Sequence, residues 1–406
     1  MVPSCSIEHL SPQQSPHRSA ELLSETELRE RVERWCSIEH GSASPGEHAV
    51  AAMIAAELRG YGLETRVEEE QAHGGYWLPI GIPTALAAIA GVVGGAFAVV
   101  AGLFGAAATA DDVNCERHWF RKLFLPKRVT HNVIAELGPA DAPRTVVFLA
   151  HHDAPHAGLV FHPELPRRWA RKYPKVLEHA KTTPPTMWGA FFGPLGVALA
   201  QMFGFRKLRL FSALLSAGYA AAMADIGLRR VVDGANDNLS GVAASMSLAK
   251  ALAADPPRNT RVILLFPGSE EGFQEGMRAW FERHRNELPR QSTIFVNHET
   301  VGSPHLALLE GEGMLGITDY PDDFKDFIQQ TADDLGIFLW RELRTRNASD
   351  SLIPLRAGYK CALFVSCDEL KAPTNYHWYT DTADNVQYDT VADMARLSLE
   401  LTRRLD

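Results

Sequence analysis

Five short segments of this 406-residue chain carry the side chains that bind divalent metal ions. In chain order, their ligand-type residues are His151, His152 and Asp153; Asp237; Glu270 and Glu271; His298 and Glu299; and His377, followed by Asp381 and Asp384. Imidazole and carboxylate ligands suit a metal ion that polarises a carbonyl oxygen, and a bridging carboxylate can hold two such ions. A neighbouring carboxylate that stays off the metal can accept a proton from water. These residue types therefore predict a hydrolytic site with two metal ions.

The elements around these segments explain how they could meet. Apolar strands are expected at residues 63–67, 131–137, 145–150, 261–267, 292–297 and 360–366. Amphipathic helices are expected at residues 25–39, 49–61, 238–253, 274–287, 322–335 and 390–404. This alternation predicts a mixed α/β domain whose mostly parallel sheet is flanked by helices. In such sheets functional groups gather at the carboxyl ends of the strands, and three ligand segments directly follow a predicted strand.

Taken together, the segments resemble peptidase family M28, the bacterial leucyl-aminopeptidase type with two zinc ions. The matching positions are His151-x-Asp153, residues 234–238 with Ser240-Gly241, Glu270-Glu271-Gly272, Glu299 with Val301-Gly302, and Tyr376-His377 with Asp381-Thr382 and Asp384. The likeness runs from about residue 25 to the C-terminus, apart from two hydrophobic insertions. It implies a fold of the zinc-exopeptidase (phosphorylase/hydrolase-like) type, a peptide substrate and two divalent metal ions, expected to be zinc.

The resemblance also implies a role for each site residue. His151, Asp237 and Glu271 would hold one ion, and Asp237, Glu299 and His377 would hold the other, with Asp237 bridging. Glu270 would be the general base, Asp153 would orient His151, and Asp381 would support the loop of His377. The chain departs from the family at Glu299, where Asp is usual, and at Ser351, where relatives often carry His. The first departure bears on metal spacing and the second on the substrate pocket.

Two hydrophobic insertions, at about residues 76–110 and 160–230, interrupt the domain. The first has no charged side chain up to residue 110, and the apolar part of the second is broken by Arg206, Lys207 and Arg209. Because one catalytic domain surrounds both insertions, each must return to the side that it left. Helical hairpins, or helices that enter one leaflet, meet this demand. The alternative is a set of buried helices in an enlarged soluble fold.

Basic residues next to the insertions favour a membrane-associated protein with its catalytic domain on the cytoplasmic face. The clusters are Arg117, Arg121, Lys122, Lys127 and Arg128, and then Arg167, Arg168, Arg171, Lys172 and Lys175.

The polar N-terminus has no secretory signal pattern, so residues 1–23 are expected to be a disordered lead-in and residues 24–406 the peptidase domain.

Composition narrows the remaining options. A net charge of −9 without a long basic run argues against nucleic acid as a partner. Five cysteines, an odd number without a CxxC motif, predict buried free thiols, although a pair between Cys361 and Cys367 stays open. No pattern indicates the oligomeric state.

The leading functional hypothesis is an aminopeptidase. One alternative is a carboxypeptidase, which needs a cation for the substrate carboxylate; Arg344, Arg346 or Arg356 could supply it. Others are a glutaminyl-cyclase-like activity, which does not need two metal ions, and a non-catalytic membrane scaffold.

Overall fold

The structure is a computed structural model, and it describes residues 21–406. Its helices are α1 Glu25–Cys36, α2 Pro45–Gly60, α3 Trp77–Val93, α4 Gly95–Val113, α5 Trp119–Phe124, α6 Glu164–Lys172, α7 Pro174–His179, α8 Trp188–Met202, α9 Arg206–Leu228, α10 Ser240–Ala254, α11 Glu275–His284, α12 Asp322–Leu335, α13 Leu352–Arg356 and α14 Tyr388–Leu405. Its strands are β1 Glu64–Ala72, β2 Arg128–Leu137, β3 Arg144–Leu149, β4 Thr260–Phe266, β5 Thr293–His298, β6 His305–Leu308, β7 Gly311–Glu312, β8 Thr318–Asp319, β9 Arg344–Thr345 and β10 Lys360–Cys367.

The main sheet has seven strands in the order β1-β2-β4-β3-β5-β10-β6. Its four central strands, β4, β3, β5 and β10, run parallel, whereas β1, β2 and β6 pair antiparallel at the edges. The predicted mixed α/β class is therefore confirmed, and its parallel part is the centre of the sheet. Short strands β8, β7 and β9 form a second sheet that the sequence pattern did not predict.

Helices cover both faces of the main sheet, because the strand side chains alternate between two apolar cores. In β3, Val146 and Phe148 face the core formed with α1, α2, α10, α12 and α14, whereas Val147 and Leu149 face the core formed with α11 and α13. Alternate side chains of β3 thus point to opposite faces of the sheet, and both faces are apolar. Strand β3 therefore lies at the centre of the molecule, with a core on each side. The rigid centre then fixes the loops that follow each parallel strand.

The two hydrophobic insertions form two helical hairpins, α3–α4 and α8–α9, that pack together as a four-helix bundle. Gly94, with φ of +83°, makes the turn between α3 and α4. Helices α4 and α8 approach so closely at Gly102 that a Cβ atom there would lie 2.8 Å from the backbone of Pro194 and Ala198. The hairpins were predicted from topology, and the structure confirms their helical form. Their packing against each other was not predicted.

The N-terminal boundary of the packed domain differs slightly from the prediction. Residues 1–20, most of the predicted lead-in, lie outside the described residues. Leu23 is buried and its backbone N–H donates to Ser247 Oγ at 2.9 Å, so the packed domain begins before residue 24.

The four cysteines within the described part of the chain, Cys36, Cys115, Cys361 and Cys367, are all free.

Candidate metal centre

The five predicted ligands come together at the carboxyl edge of the parallel strands. His151 follows β3, Glu270 and Glu271 follow β4, and Glu299 follows β5 directly. Asp237 lies in the turn Ala235–Leu239 before α10, and His377 lies in the loop after β10. Convergence of strand ends on one edge is the general property of parallel sheets, and the five candidate ligands lie close together at this edge.

Asp237 stands between the two histidines. Its Oδ1 lies 3.4 Å from Nε2 of His151, and its Oδ2 lies 3.2 Å from Nε2 of His377. Oε1 of Glu299 lies 3.2 Å from the same nitrogen of His151, and Oε1 of Glu271 lies 3.3 Å from that of His377. In each of the two resulting groups, the potential ligand atoms all lie within 4.8 Å of one another.

The two groups divide the ligands differently from the prediction, while a third group joins His151 to Glu270 and Glu271. Glu299 belongs with His151 and Asp237, whereas Glu271 belongs with His377 and Asp237. Asp237 belongs to both of these groups, which is the position expected of a bridging ligand. The sequence could not assign the two glutamates, because β4 and β5 both neighbour β3 in the sheet.

The pKa values of the ligand-type residues, and the polar atoms among them that have no partner, indicate whether metal ions fit this site. Burial raises the pKa of Glu271 to about 7. Burial opposes a charge on the two imidazoles, but the nearby carboxylates outweigh it and raise the pKa of His377 to about 10 and that of His151 well above its usual range. Oε2 of Glu299 and Nδ1 of His377 are buried without a hydrogen-bond partner within residues 21–406. Acidic groups crowded around two imidazoles in a buried site need positive charge, and two divalent cations fit this donor set.

Asp153 organises both sides of the site. Its Oδ1 lies 3.4 Å from Nδ1 of His151, whose ring also lies 3.1 Å from the Asp153 carbonyl oxygen. Its carboxylate accepts the backbone N–H groups of Glu270 at 2.9 Å and Glu271 at 3.1 Å, and the hydroxyl of Ser42 at 2.5 Å. Asp153 therefore fixes the glutamate turn as well as the imidazole, which extends the predicted orienting role.

Glu270 is held by a residue that the sequence analysis missed. The amide nitrogen of Gln274 donates to Glu270 Oε1 at 2.9 Å and to the carbonyl oxygen of Ala348 at 3.0 Å. The backbone at Ser269, Phe273 and Gln274 has positive φ values of 53°, 64° and 57°. Strained backbone of this kind is retained where the surrounding structure needs a side chain in one position. Here it directs two consecutive glutamates into the site.

Asp381, Asp384 and His152, which also belong to the predicted segments, lie in three different environments. Asp381 accepts the backbone N–H groups of Asn236 at 2.7 Å and Asp237 at 3.2 Å, so it supports the loop of Asp237 rather than that of His377 as predicted. Asp384 is outside the site, because its side chain is 89% exposed and pairs with Arg29. His152 is buried beside His151, and neither ring nitrogen has a hydrogen-bond partner in the described chain.

Ser351, at the other departure from the family pattern, does not face the ligands. Its hydroxyl donates to Glu312 at 3.0 Å and lies 2.8 Å from the hydroxyls of Ser349 and Tyr320. The serine thus belongs to a buried polar network around Glu312, whose pKa burial raises to about 7. This network supports one wall of the cavity at the site.

A cavity with two lobes opens from the ligand cluster, and Glu270, Glu271 and Tyr376 line both lobes. The first, here the α6–α7 lobe, has a volume of about 930 Å³ and lies beneath α6 and α7, with Arg346 in its wall. The second, here the α9 lobe, has a volume of about 970 Å³ and runs along α9 of the helical bundle. Lobes of this size accommodate organic ligands.

The ligand set suits a site for divalent metal ions. Three solved structures share the fold. A Zn-dependent exopeptidase from Parabacteroides distasonis has a TM-score of 0.57 at 12% identity, covering 95% of this chain and 99% of that one. A leucine aminopeptidase precursor from Bacteroides thetaiotaomicron has a TM-score of 0.56 at 12% identity, covering 94% and 97%. A glutaminyl cyclase from the same organism has a TM-score of 0.55 at 13% identity, covering 93% and 97%.

The family match is more specific. Residues 219–402 match the sequence model of Peptidase family M28, and this part contains Asp237, Glu270, Glu271, Glu299 and His377. The matched segment is less than half of the chain, and over it the chain is similar to peptidase family M28. The match supports a metal-dependent peptidase.

Proposed function

We propose that the protein is an aminopeptidase with two co-catalytic zinc ions, bridged by Asp237. The observation that carries the proposal is the position of the Asp237 carboxylate, whose two oxygens face two different histidines at 3.4 and 3.2 Å. His151 and Glu299 would complete one site, and Glu271 and His377 the other. A glutaminyl cyclase does not need a second ion, so a complete second ligand set supports a hydrolase instead.

Two bound zinc ions would polarise the scissile carbonyl and make water a better nucleophile. Glu270 would take the proton from that water and pass it to the nitrogen of the leaving amine, which breaks the peptide bond as a carboxylate and a free amine form. Gln274 and the turn after β4 hold the Glu270 carboxylate for this transfer. Asp153 contacts both the Glu270 backbone and the His151 ring and holds them in position relative to each other.

A panel of aminoacyl 4-nitroanilides, with the N-acetylated form of each as its matched control, tests this activity on the purified, zinc-loaded protein. We expect hydrolysis of the free-amine substrates, and little of the acetylated ones, because an aminopeptidase requires the free amine. Repeating the panel with manganese and cobalt identifies the preferred ion. Absence of hydrolysis with all three metals would count against the proposal.

The helical bundle supports a second part of the proposal, namely that the two hairpins are embedded in a membrane. Gly95–Val113 and Arg206–Leu228 are each long and apolar enough to cross a bilayer. At 19 and 23 residues they would extend about 28 and 34 Å, close to the roughly 30 Å hydrocarbon core. The bundle also exposes large apolar side chains outward, among them Val92, Val93, Val100 and Leu214.

Basic side chains lie at both ends of the bundle, and Arg206 and Lys207 are exposed at its tip. Arg209 approaches Gly94 of the other hairpin, so the two tips lie together at the end away from the catalytic domain. At the opposite end Lys122, Lys127 and Arg128 are exposed, which favours the cytoplasmic side for the catalytic domain. Arg121 is fully buried in an ion pair with Asp112, so it does not belong to the basic cluster that was predicted to face lipid headgroups. Recovery of the full-length protein in the soluble fraction without detergent would argue against this placement.

One observation favours a carboxypeptidase as the second candidate. Arg346 lines the α6–α7 lobe and stacks over Trp188 at 4.8 Å, and no carboxylate of residues 21–406 pairs with it. The other two arginines are occupied, since Arg344 pairs with Asp319 and Arg356 donates to Asn114. A carboxypeptidase would cleave N-blocked dipeptides with a free carboxylate but not their amides, and Arg346→Met would remove that preference.

A further inference from the structure

The α9 lobe has a wall that belongs to the hydrophobic insertion rather than to the catalytic domain. Phe211, Leu214, Leu215 and Gly218 of α9 line it, together with the next turn of that helix. The only charge-bearing side chains along the lobe are Glu270, Glu271 and His377 at its inner end, as far as the described chain goes. The lobe therefore joins the reacting groups directly to apolar helical surface.

The outer end of this lobe lies on the exposed side of the bundle. Phe211 and Leu214 line the lobe and yet are 64% and 70% exposed. Because these two side chains belong both to the wall of the lobe and to the outer surface of the protein, the lobe is open to the outside at this point. Since α9 is also one of the two helices fit to cross a bilayer, the lobe opens where hydrocarbon would surround the protein.

The lining determines what can enter. An extended polar peptide along the α9 wall, where Phe211, Leu214 and Leu215 line the lobe, would leave backbone N–H and C=O groups without partners on that side, which is costly in an apolar environment. An aliphatic chain loses no hydrogen bonds there and gains apolar contact. The same chain would already be dissolved in the bilayer at the outer end of the lobe.

We propose that the substrate is an amphiphilic amide whose long aliphatic chain occupies the α9 lobe while its amide bond lies at the metal centre. The inference rests on the proposed amide hydrolysis and adds the substrate class. The reaction stays a hydrolysis, in which water adds across the amide C–N bond to give a carboxylate and an amine, one of which bears the chain. The substrate would enter sideways from the membrane along α9.

Two homologous series provide the probes, because the chain could be on either side of the scissile bond. In one, alanyl alkylamides carry the chain on the leaving amine, from ethyl to dodecyl. In the other, 2-aminoalkanoyl 4-nitroanilides carry it on the N-terminal residue. We expect kcat/KM of the wild type to rise in one series by about two- to fourfold per added methylene, the gain typical of burying a methylene group.

Gly218 allows the lobe to be filled without disturbing its surroundings. A Cβ atom built at Gly218 meets no other atom within 4 Å, so Gly218→Phe places a ring in the lobe without a clash at its base. The matched control is Ala217→Phe, on the preceding residue of α9, which is exposed and does not line the lobe. Metal content of both variants shows whether the catalytic domain remains intact.

We expect Gly218→Phe to lower kcat/KM for the longest substrates by about tenfold or more, the loss of a few buried methylenes, and to leave ethyl-length substrates unchanged. Ala217→Phe should leave both unchanged. A flat dependence on chain length, or equal effects of the two variants on long substrates, would overturn the inference while short substrates are still cleaved. If no substrate of any length is cleaved by the wild type, the proposed hydrolysis itself fails.

Discussion

Replacement of Arg121 by methionine tests how the first hairpin is joined to the catalytic turn. The Arg121 side chain is fully buried between Asp112, in the last turn of α4, and Glu275 at the start of α11. Its Nε lies 2.9 Å and its Nη2 2.6 Å from the two carboxylate oxygens of Asp112. Its Nη1 donates to the carbonyl oxygen of Gly272, the residue after Glu271. One guanidinium thus connects the bundle to the metal-binding loop.

The expected loss follows from what Arg121→Met leaves behind. The Asp112 carboxylate has no exposed surface, so without its partner it becomes an uncompensated buried charge. Breaking a buried ion pair in this way costs about 3–5 kcal/mol in the free energy of unfolding. The double variant Asp112→Asn with Arg121→Met removes both charges, and we expect it to recover about 2 kcal/mol relative to the single variant.

Urea titration followed by circular dichroism, on purified protein in one detergent, measures these differences. The control is Arg396→Met, whose salt bridge to Asp393 joins side chains that are 48% and 39% exposed. Exposed pairs of this kind contribute less than about 1 kcal/mol. The reasoning is refuted if Arg121→Met costs no more than this control, or if the double variant is as unstable as the single one.

Three further predictions concern the metal centre. Glu270→Gln should keep the metal content of the wild type but lower kcat by about 100- to 10,000-fold, the contribution typical of a general base, and metal loss in this variant would instead make Glu270 a ligand. Asp381→Asn removes a carboxylate that accepts the backbone N–H groups of Asn236 and Asp237, so zinc affinity measured by competition with a chelator should fall about 10- to 100-fold; unchanged affinity would contradict this supporting role. Because the raised pKa of His377, about 10, and that of His151 keep both imidazoles protonated at neutral pH without metal, zinc binding should release protons and strengthen as pH rises toward those values. Calorimetry in buffers of different ionisation enthalpy measures this release, and a net release of zero would be contrary to the stated pKa directions.

Much of the fold follows from local pattern. Helix α12 begins and ends at the predicted residues 322 and 335, because its amphipathic spacing is bounded by Pro321 and Gly336. The central strands were predictable as apolar runs, and the ligand segments followed them closely. That His151 and Glu270 meet could be predicted, because parallel strands end at one edge of the sheet.

Features that depend on contacts distant in sequence were not predictable. Gln274 holds Glu270, but nothing in its local sequence distinguishes it from a helix-start residue. Asp384 fits the family motif by position, yet the turn after His377 directs it to solvent beside Arg29. Strand β6 was missed because its four residues are too short for a clear alternation. The contact of the two hairpins depends on close approach at Gly102, which only the packed structure reveals.

Metal content per chain, measured by mass spectrometry on the wild type and on Asp237→Ala, tests the central claim most directly. If Asp237 bridges two co-catalytic ions, the wild type should hold about two ions and Asp237→Ala should lose both together with peptidase activity, while circular dichroism shows that the variant is folded. His48→Ala, which changes a histidine that stacks on His131 outside the two ligand groups, serves as the control and should retain both ions. A folded wild type that binds one ion or none, or an Asp237→Ala variant that keeps two, would contradict the account.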